Sequence, residues 1–131
     1  MTGSGVSSSE IHAFGRRLPT ISLCRYVHEP GIDTVVSDDD MGYSALIDHL
    51  VSLGHRDIAH VDGGSENLIA ERRRSAYENA MRHNGLEQRI QVLSGGTTIS
   101  DGARVARTLM SAKELPSAVT CYNVEVGAGL V

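Results

Sequence analysis

The fold is decided by residues 35–63, VVSDDDMGYSALIDHLVSLGHRDIAHVDG. The β-branched pair Val35-Val36 runs into three acids, and Ile58, Ala59 and Val61 resume a strand pattern after Gly54-His55-Arg56. Between the two, Ala45, Leu46, His49, Leu50 and Leu53 recur at helical spacing. That period predicts an amphipathic helix over 42–53 with these residues buried and His49 as a satisfied core histidine. Gly54 follows the last of them, where a left-handed helix cap is expected. The order is strand, acidic turn, helix, connector, strand.

Working outward gives the same alternation. Upstream, 10–15 reads as the tail of a helix ending at Gly15, and 18–24 as a strand with Pro19 at its start, where a missing N–H is tolerated. His28-Glu29-Pro30-Gly31 is a turn, and 32–36 a second strand. Downstream come a strand over 57–61, a Gly63-Gly64-Ser65 loop and a helix over 67–83 stopped by Asn84-Gly85. A strand over 90–93 follows, then a helix over 101–112 that buries Val105, Ala106, Leu109 and Met110, with Ser100 as its N-cap. The last strand covers 117–122, and a new helix begins near Val124. Strands alternating with helices of this length predict an α/β fold, a parallel sheet with flanking helices.

Composition sets the bounds. In 131 residues, 40% are apolar with one Phe and no Trp, which suits a small α/β core and is too rich for disorder. A net charge of −4 argues against this chain gripping a phosphate backbone, which calls for a basic stripe. Cys24 and Cys121 lie far apart with no CxxC or metal spacing, so reduced thiols are expected. No run approaches a membrane span. Residues 1–9 are small and polar, without the basic and apolar regions of a secretory signal, and read as a flexible leader of a cytoplasmic protein.

The pattern D-x-x-x-G-x-x-A-x-x-x-H-L-x-x-L-G-H-R-x-I-A, running from Asp38 to Ala59, resembles the effector-binding core of the lac/galactose repressor (LacI/GalR) family. The resemblance extends from about residue 10 onward. It takes in Arg16-Arg17-Leu18-Pro19-Thr20-Ile21 with Arg25, the Arg-rich helix over 70–81, and Tyr122-Asn123 through Gly129-Leu130. Two positions depart from it: Ala76 stands where Gly is usual, and Val124 where an Asp follows the Asn. The resemblance implies a partial periplasmic-binding-protein-like (flavodoxin-like) fold spanning two subdomains, with a leader over 1–9, an N-terminal piece over 10–56 and a C-terminal piece over 57–131. It implies an interior stretch of a longer bacterial regulator that binds a small sugar-like or purine-like (nucleoside-like) effector. Operator DNA would then be held only through a helix-turn-helix missing from this chain, and the full-length parent would be a homodimer. A periplasmic-type sugar-binding protein of an uptake system shares the fold and is the alternative. No cofactor is implied.

Candidate site residues follow from strand ends and helix phase. Asp38, with Met41 beside it, lies just past a strand's carboxyl end, where ligands of open α/β sheets bind. It either accepts hydrogen bonds from an effector or, like Asp39 and Asp40, serves the following helix as cap and dipole partner. A receiver-type acidic cluster would need a phosphoacceptor Asp and a Lys at later strand ends, which are absent. In Arg72-Arg73-Arg74, Arg73 shares its helix face with Ala76, Tyr77 and Ala80, while Arg72 and Arg74 turn aside. The resemblance makes Arg73 an effector contact; the other reading is a structural ion pair. Asn123, after the last strand, is either a ligand contact or a helix cap. His55 and Arg56 read as a structural connector where the resemblance places a crossing between subdomains. The Gly63-Gly64-Ser65 loop lacks the Gly-Lys-Ser/Thr that a phosphate cradle would add. There is no HExxH, no G-x-S-x-G and no metal-ligand spacing, so neither catalytic nor metal-binding residues are assigned and no enzyme is expected.

Overall fold

The structure, a computed structural model, describes residues 7–27, 29–65 and 67–131. It divides into two compact units, one ending at Asp38 and the other running from Asp39 to Val131. Both are α/β with parallel strands.

The first unit holds α1 (Ser8–Gly15), β1 (Thr20–Leu23) and β2 (Ile32–Val35). Ser7 caps α1 through a reciprocal box with Glu10. Residues 7–9 of the expected flexible leader are therefore a helix cap and first turn, because Ser7-x-x-Glu10 satisfies the orphan N–H groups. Residues 1–6 lie outside the described residues. The strands pair in parallel with Leu23 opposite Val35. Cys24, at φ 61°, ends β1 a residue earlier than the alternation predicts, although its N–H still reaches Val35 O at 2.8 Å. His28 lies outside the described residues.

The second unit is a three-stranded parallel sheet in the order β4-β3-β5, with β3 (Ile58–Asp62), β4 (Gln91–Ser94) and β5 (Ala118–Cys121). Four helices flank it: α2 (Asp39–Ser52), α3 (Leu68–His83), α4 (Ile99–Met110) and α5 (Val124–Leu130). Alternate residues of β3 serve opposite faces, as a strand's period of two demands. Ile58 joins a core with Tyr43 and Ile47 of α2 and Ala76, Tyr77, Ala80 and Met81 of α3. Val61 joins Val105 of α4 and Val126 of α5 on the other side. Both faces of the sheet are covered, as parallel strands require.

Tertiary packing overrides several local readings. α2 buries Asp39, Tyr43 and Ile47, with Leu50 and Val51 packed at their edge. Leu46, Leu53, Ala45 and His49 are exposed, so the expected stripe is rotated and His49 is a surface residue rather than a core one. The helix expected in the 10–56 piece packs on α3, within the unit that begins at Asp39. His55 and Arg56, expected at a crossing between subdomains, join α2 to β3 inside that unit. There they act as structural groups: Arg56 Nη1 donates to Val51 O at 2.9 Å, and His55 Nδ1 lies 3.1 Å from Ser117 Oγ. Gly54 takes φ 96°, and paired bonds from Gly54 N to Val51 O and His55 N to Leu50 O close α2, the left-handed stop expected there.

α4 starts two residues before the predicted position. Thr98, not Ser100, caps it, because Thr98-x-x-Asp101 forms a reciprocal box. Met110 is exposed rather than buried. α4 and α5 cross at Gly102 and Gly129, so closely that a Cβ on Gly102 would strike Val126 O and one on Gly129 would strike Ile99 O.

Candidate functional site

The candidate site lies at the carboxyl edge of the three-stranded sheet, where the first turns of α2 and α3 meet the loop after β5. Asn67 starts α3 by accepting from the N–H groups of Ile69 and Ala70. Its amide also donates to Tyr122 Oη at 2.7 Å, which ties the α3 entry to the end of β5. One and a half turns on, Arg73 projects from the face it shares with the buried Ala76, Tyr77 and Ala80, as the helical period predicts.

Arg73 is held from two sides. Its Nε donates to Asp39 Oδ1 at 3.3 Å and its Nη1 to Tyr122 O at 2.5 Å. Its guanidinium carbon sits 5.5 Å from the Tyr122 ring centroid, within cation–π range. Among the described residues, Nη2 makes no hydrogen bond, and the side chain is 29% exposed. Nε and Nη1 are thus committed to the protein, which leaves Nη2 as the guanidinium nitrogen with donors to spare.

Asp39 is the residue that sequence reasoning misses. Its carboxylate is nearly buried between two guanidiniums: Oδ1 accepts a hydrogen bond from Arg73 Nε, and Oδ2 forms an ion pair with Arg72 Nη2 without hydrogen-bond geometry, each at 3.3 Å. A buried acid between two arginines is stabilised by the pairing that offsets its desolvation. Read as a solvated cap, it gives no hint of this role; its i, i+4, i+8 phase with Tyr43 and Ile47 is the signal that would have found it. Arg74 turns aside toward Asp62 and Glu78, each at 3.7 Å. A cleft of about 300 Å³ between α2 and α3 is lined by Asp39, Asp40, Glu71, Arg72, Ser75 and Asn79.

The four residues singled out from sequence fare differently. Arg73 binds the carbonyl of Tyr122, the residue before Asn123 in the chain. Asn123, however, gives both amide ends to the protein: Oδ1 accepts from Val126 N at 2.9 Å, capping α5, and Nδ2 donates to Thr97 O at 3.0 Å. That is the helix-cap arrangement. Met41 is two-thirds exposed on the first turn of α2, the turn that carries Asp39. Asp38 is exposed at the end of the first unit.

Behind the site, His60 is fully buried on β3, stacked on Tyr77 at 5.2 Å and edge-on to Tyr43 at 5.5 Å. Thr120 Oγ1 donates to Ala59 O at 3.3 Å, so His60 Nδ1, 3.0 Å away, donates to Thr120. His60 Nε2 then keeps a lone pair without a hydrogen-bond partner. Burial, with smaller contributions from Arg74 and Arg73, pulls the His60 pKa down to about 4 against the pull of Asp62 and Glu78. Burial likewise pushes Tyr43 up to about 12. At neutral pH the imidazole is an uncharged packing element. No group of three or more metal-ligating side chains occurs among the described residues.

The family model for periplasmic binding proteins and the sugar-binding domain of the LacI family matches residues 1–131. The chain belongs to this family. Among curated relatives, the HTH-type transcriptional repressor PurR of Haemophilus influenzae is 32% identical over 78% of this chain and 31% of its own length. The LacI transcriptional regulator from a Rhodococcus species superposes with a TM-score of 0.86 at 34% identity, over 98% of this chain and 47% of that one. A LacI family regulator from Enterococcus faecium, solved with bound ribose, gives a TM-score of 0.77 at 26% identity, over 97% of this chain and 48% of that one. The LacI-family chain spans about a third of the length of the curated relatives it matches. Among the described residues, no helix is long and apolar enough to cross a membrane.

Proposed function

We propose that this chain is the effector-sensing part of a cytoplasmic LacI-type transcriptional repressor, binding a small sugar-like or nucleoside-like ligand at the carboxyl edge of its second unit. The observation that carries the proposal is Arg73, a partly exposed guanidinium oriented by Asp39 and Tyr122 through Nε and Nη1, with Nη2 left as a spare donor. A fork fixed in this way suits ring hydroxyls or a base edge, because its orientation is set before ligand arrives and little entropy is lost on binding. The ribose bound in the Enterococcus faecium relative supports the ligand class.

The full-length regulator then works by differential binding. An effector that favours one arrangement of the effector domain shifts the equilibrium between operator-binding and operator-releasing states by its difference in affinity for the two. In this reading operator DNA is held by a helix-turn-helix, which the relatives' own descriptions name, carried by a homodimer of the full-length regulator. A sugar-binding protein for uptake shares the fold, but the curated relatives are transcriptional regulators and favour the repressor reading. The test is an operator-binding titration of the full-length protein, by fluorescence anisotropy, with and without D-ribose and a panel of neutral sugars and nucleosides. A ligand that changes operator affinity severalfold supports the proposal. Operator binding indifferent to every member contradicts it.

A further inference from the structure

We infer that the effector of this site carries no negative charge: it is a neutral polyol sugar or an uncharged nucleoside, not a phosphate ester, nucleotide or uronic acid. The inference rests on the effector reading above and narrows its ligand class.

Three arginines in a row on α3 suggest an anion site, yet the chain supplies the anions itself. Arg72 and Arg73 share the buried carboxylate of Asp39, and Arg74 faces Asp62 and Glu78. Glu78 is shared with Arg82, so the balance that matters lies around Asp39: Arg72 and Arg73 meet Asp39, with Asp40 and Glu71 on the cleft beside Arg72, two guanidiniums against three carboxylates. Arg73 stays a directional donor, but the cluster of Arg72, Arg73, Asp39, Asp40 and Glu71 carries no net positive charge. A second anion brought to it would compete with Asp39 at short range and meet like charges around it.

The N-termini of α3 and α4 are closed in the same way. A phosphate at such an edge would bind the free N–H groups of a first turn. Asn67 Oδ1 already takes Ile69 N and Ala70 N of α3. At α4 the chain's own carboxylate fills the place: Asp101 Oδ2 accepts from Thr97 N at 3.1 Å, Thr98 N at 3.0 Å and Thr98 Oγ1 at 2.7 Å. The Thr98 bonds, with smaller contributions from Arg104 and Thr97, hold Asp101 down at about 2, ionised across the physiological range. An incoming phosphate would have to displace a satisfied cap at α3 or α4, whereas a hydroxyl needs only a single donor or acceptor.

The test is calorimetric titration of the protein with matched probes: D-ribose and ribose 5-phosphate, D-glucose with glucose 6-phosphate and glucuronate, adenosine and its 5′-monophosphate. Within the pair that binds, the neutral member should bind at least tenfold tighter than its charged partner. Asp39→Asn, which removes the internal anion, should narrow that ratio by raising affinity for the charged member. Glu71→Gln makes the same charge change on the exposed first turn of α3, and should move the ratio in the same direction even where Asp39→Asn fails to fold. A phosphate or uronate that binds wild type more tightly than its neutral partner overturns the charge inference and leaves the effector reading standing. Absence of binding by every probe overturns both.

Discussion

Acid should destabilise the second unit through one residue, His60. In the folded state its pKa is about 4, pulled down chiefly by burial, against an ordinary value of 6.5. The unfolded chain therefore binds a proton that the folded chain refuses, and stability falls as pH drops. The contribution of the neutral imidazole is fully present above about pH 7. It declines as the unfolded chain protonates below 6.5, and the loss levels off near pH 4, once the folded form also titrates. The full gap corresponds to about 3 kcal/mol, of which about 2.5 kcal/mol is lost by pH 4.5. His60→Gln keeps an amide donor for Thr120 but cannot take up a proton. Urea melts of wild type and His60→Gln from pH 7.5 to 4.5 should show wild type losing about 2–3 kcal/mol relative to the variant. A difference between the two proteins that stays constant over this range would refute the reasoning.

Two further perturbations test the packing. Gly102→Ala sets a methyl against the backbone of α5 and should destabilise by about 1–3 kcal/mol despite a helix-propensity gain of about 1 kcal/mol. Gly42→Ala, in α2 with nothing within 4 Å of the new methyl, should instead stabilise by about 0.5–1 kcal/mol. Chemical denaturation that gives both variants the same sign would count against the crossing as described. Tyr77→Phe removes a buried hydroxyl that donates to Ile58 O at 2.7 Å and accepts from Gln91 N at 3.0 Å, bridging β3 and β4. It should cost about 1–3 kcal/mol in a thermal melt, and a neutral result would contradict that bridge.

The element order and the parallel sheet were legible because strands and helices alternate with clear stops, Gly54 above all. The phase of α2 was not. Its sequence carries apolar residues on two faces, and a period-3.6 count weights Leu46 and Leu53 as heavily as Tyr43 and Ile47. Only the sheet and α3 decide between the faces, and they select the one that brings Tyr43 onto His60. Thr98 illustrates a different failure: the box Thr98-x-x-Asp101 was in the sequence, but Ser100 stood nearer the expected helix start. At the candidate site, the helical period placed Arg73 correctly on the Ala76–Tyr77–Ala80 face. What held it could not be read, because Asp39 lies 34 residues away and Tyr122 contributes a main-chain carbonyl that no side-chain pattern reports. Arg72, which phase alone turns away, reaches back to the same Asp39.

Arg73 carries the account, and calorimetric titration of Arg73→Ala with the neutral sugar or nucleoside that wild type binds tests it most directly. Arg82→Ala is the control: Arg82 lies on the same helix, paired with Glu78, at the far end from Asp39. Arg72→Ala is no control, since that residue shares the Asp39 carboxylate. Loss of hydrogen bonds from a charged donor, at roughly 1.5–3 kcal/mol, predicts a fall in affinity of about ten- to a hundredfold for Arg73→Ala. Arg82→Ala should bind as wild type does. Unchanged affinity in Arg73→Ala, or equal losses in both variants, would contradict the assignment of this guanidinium to the effector.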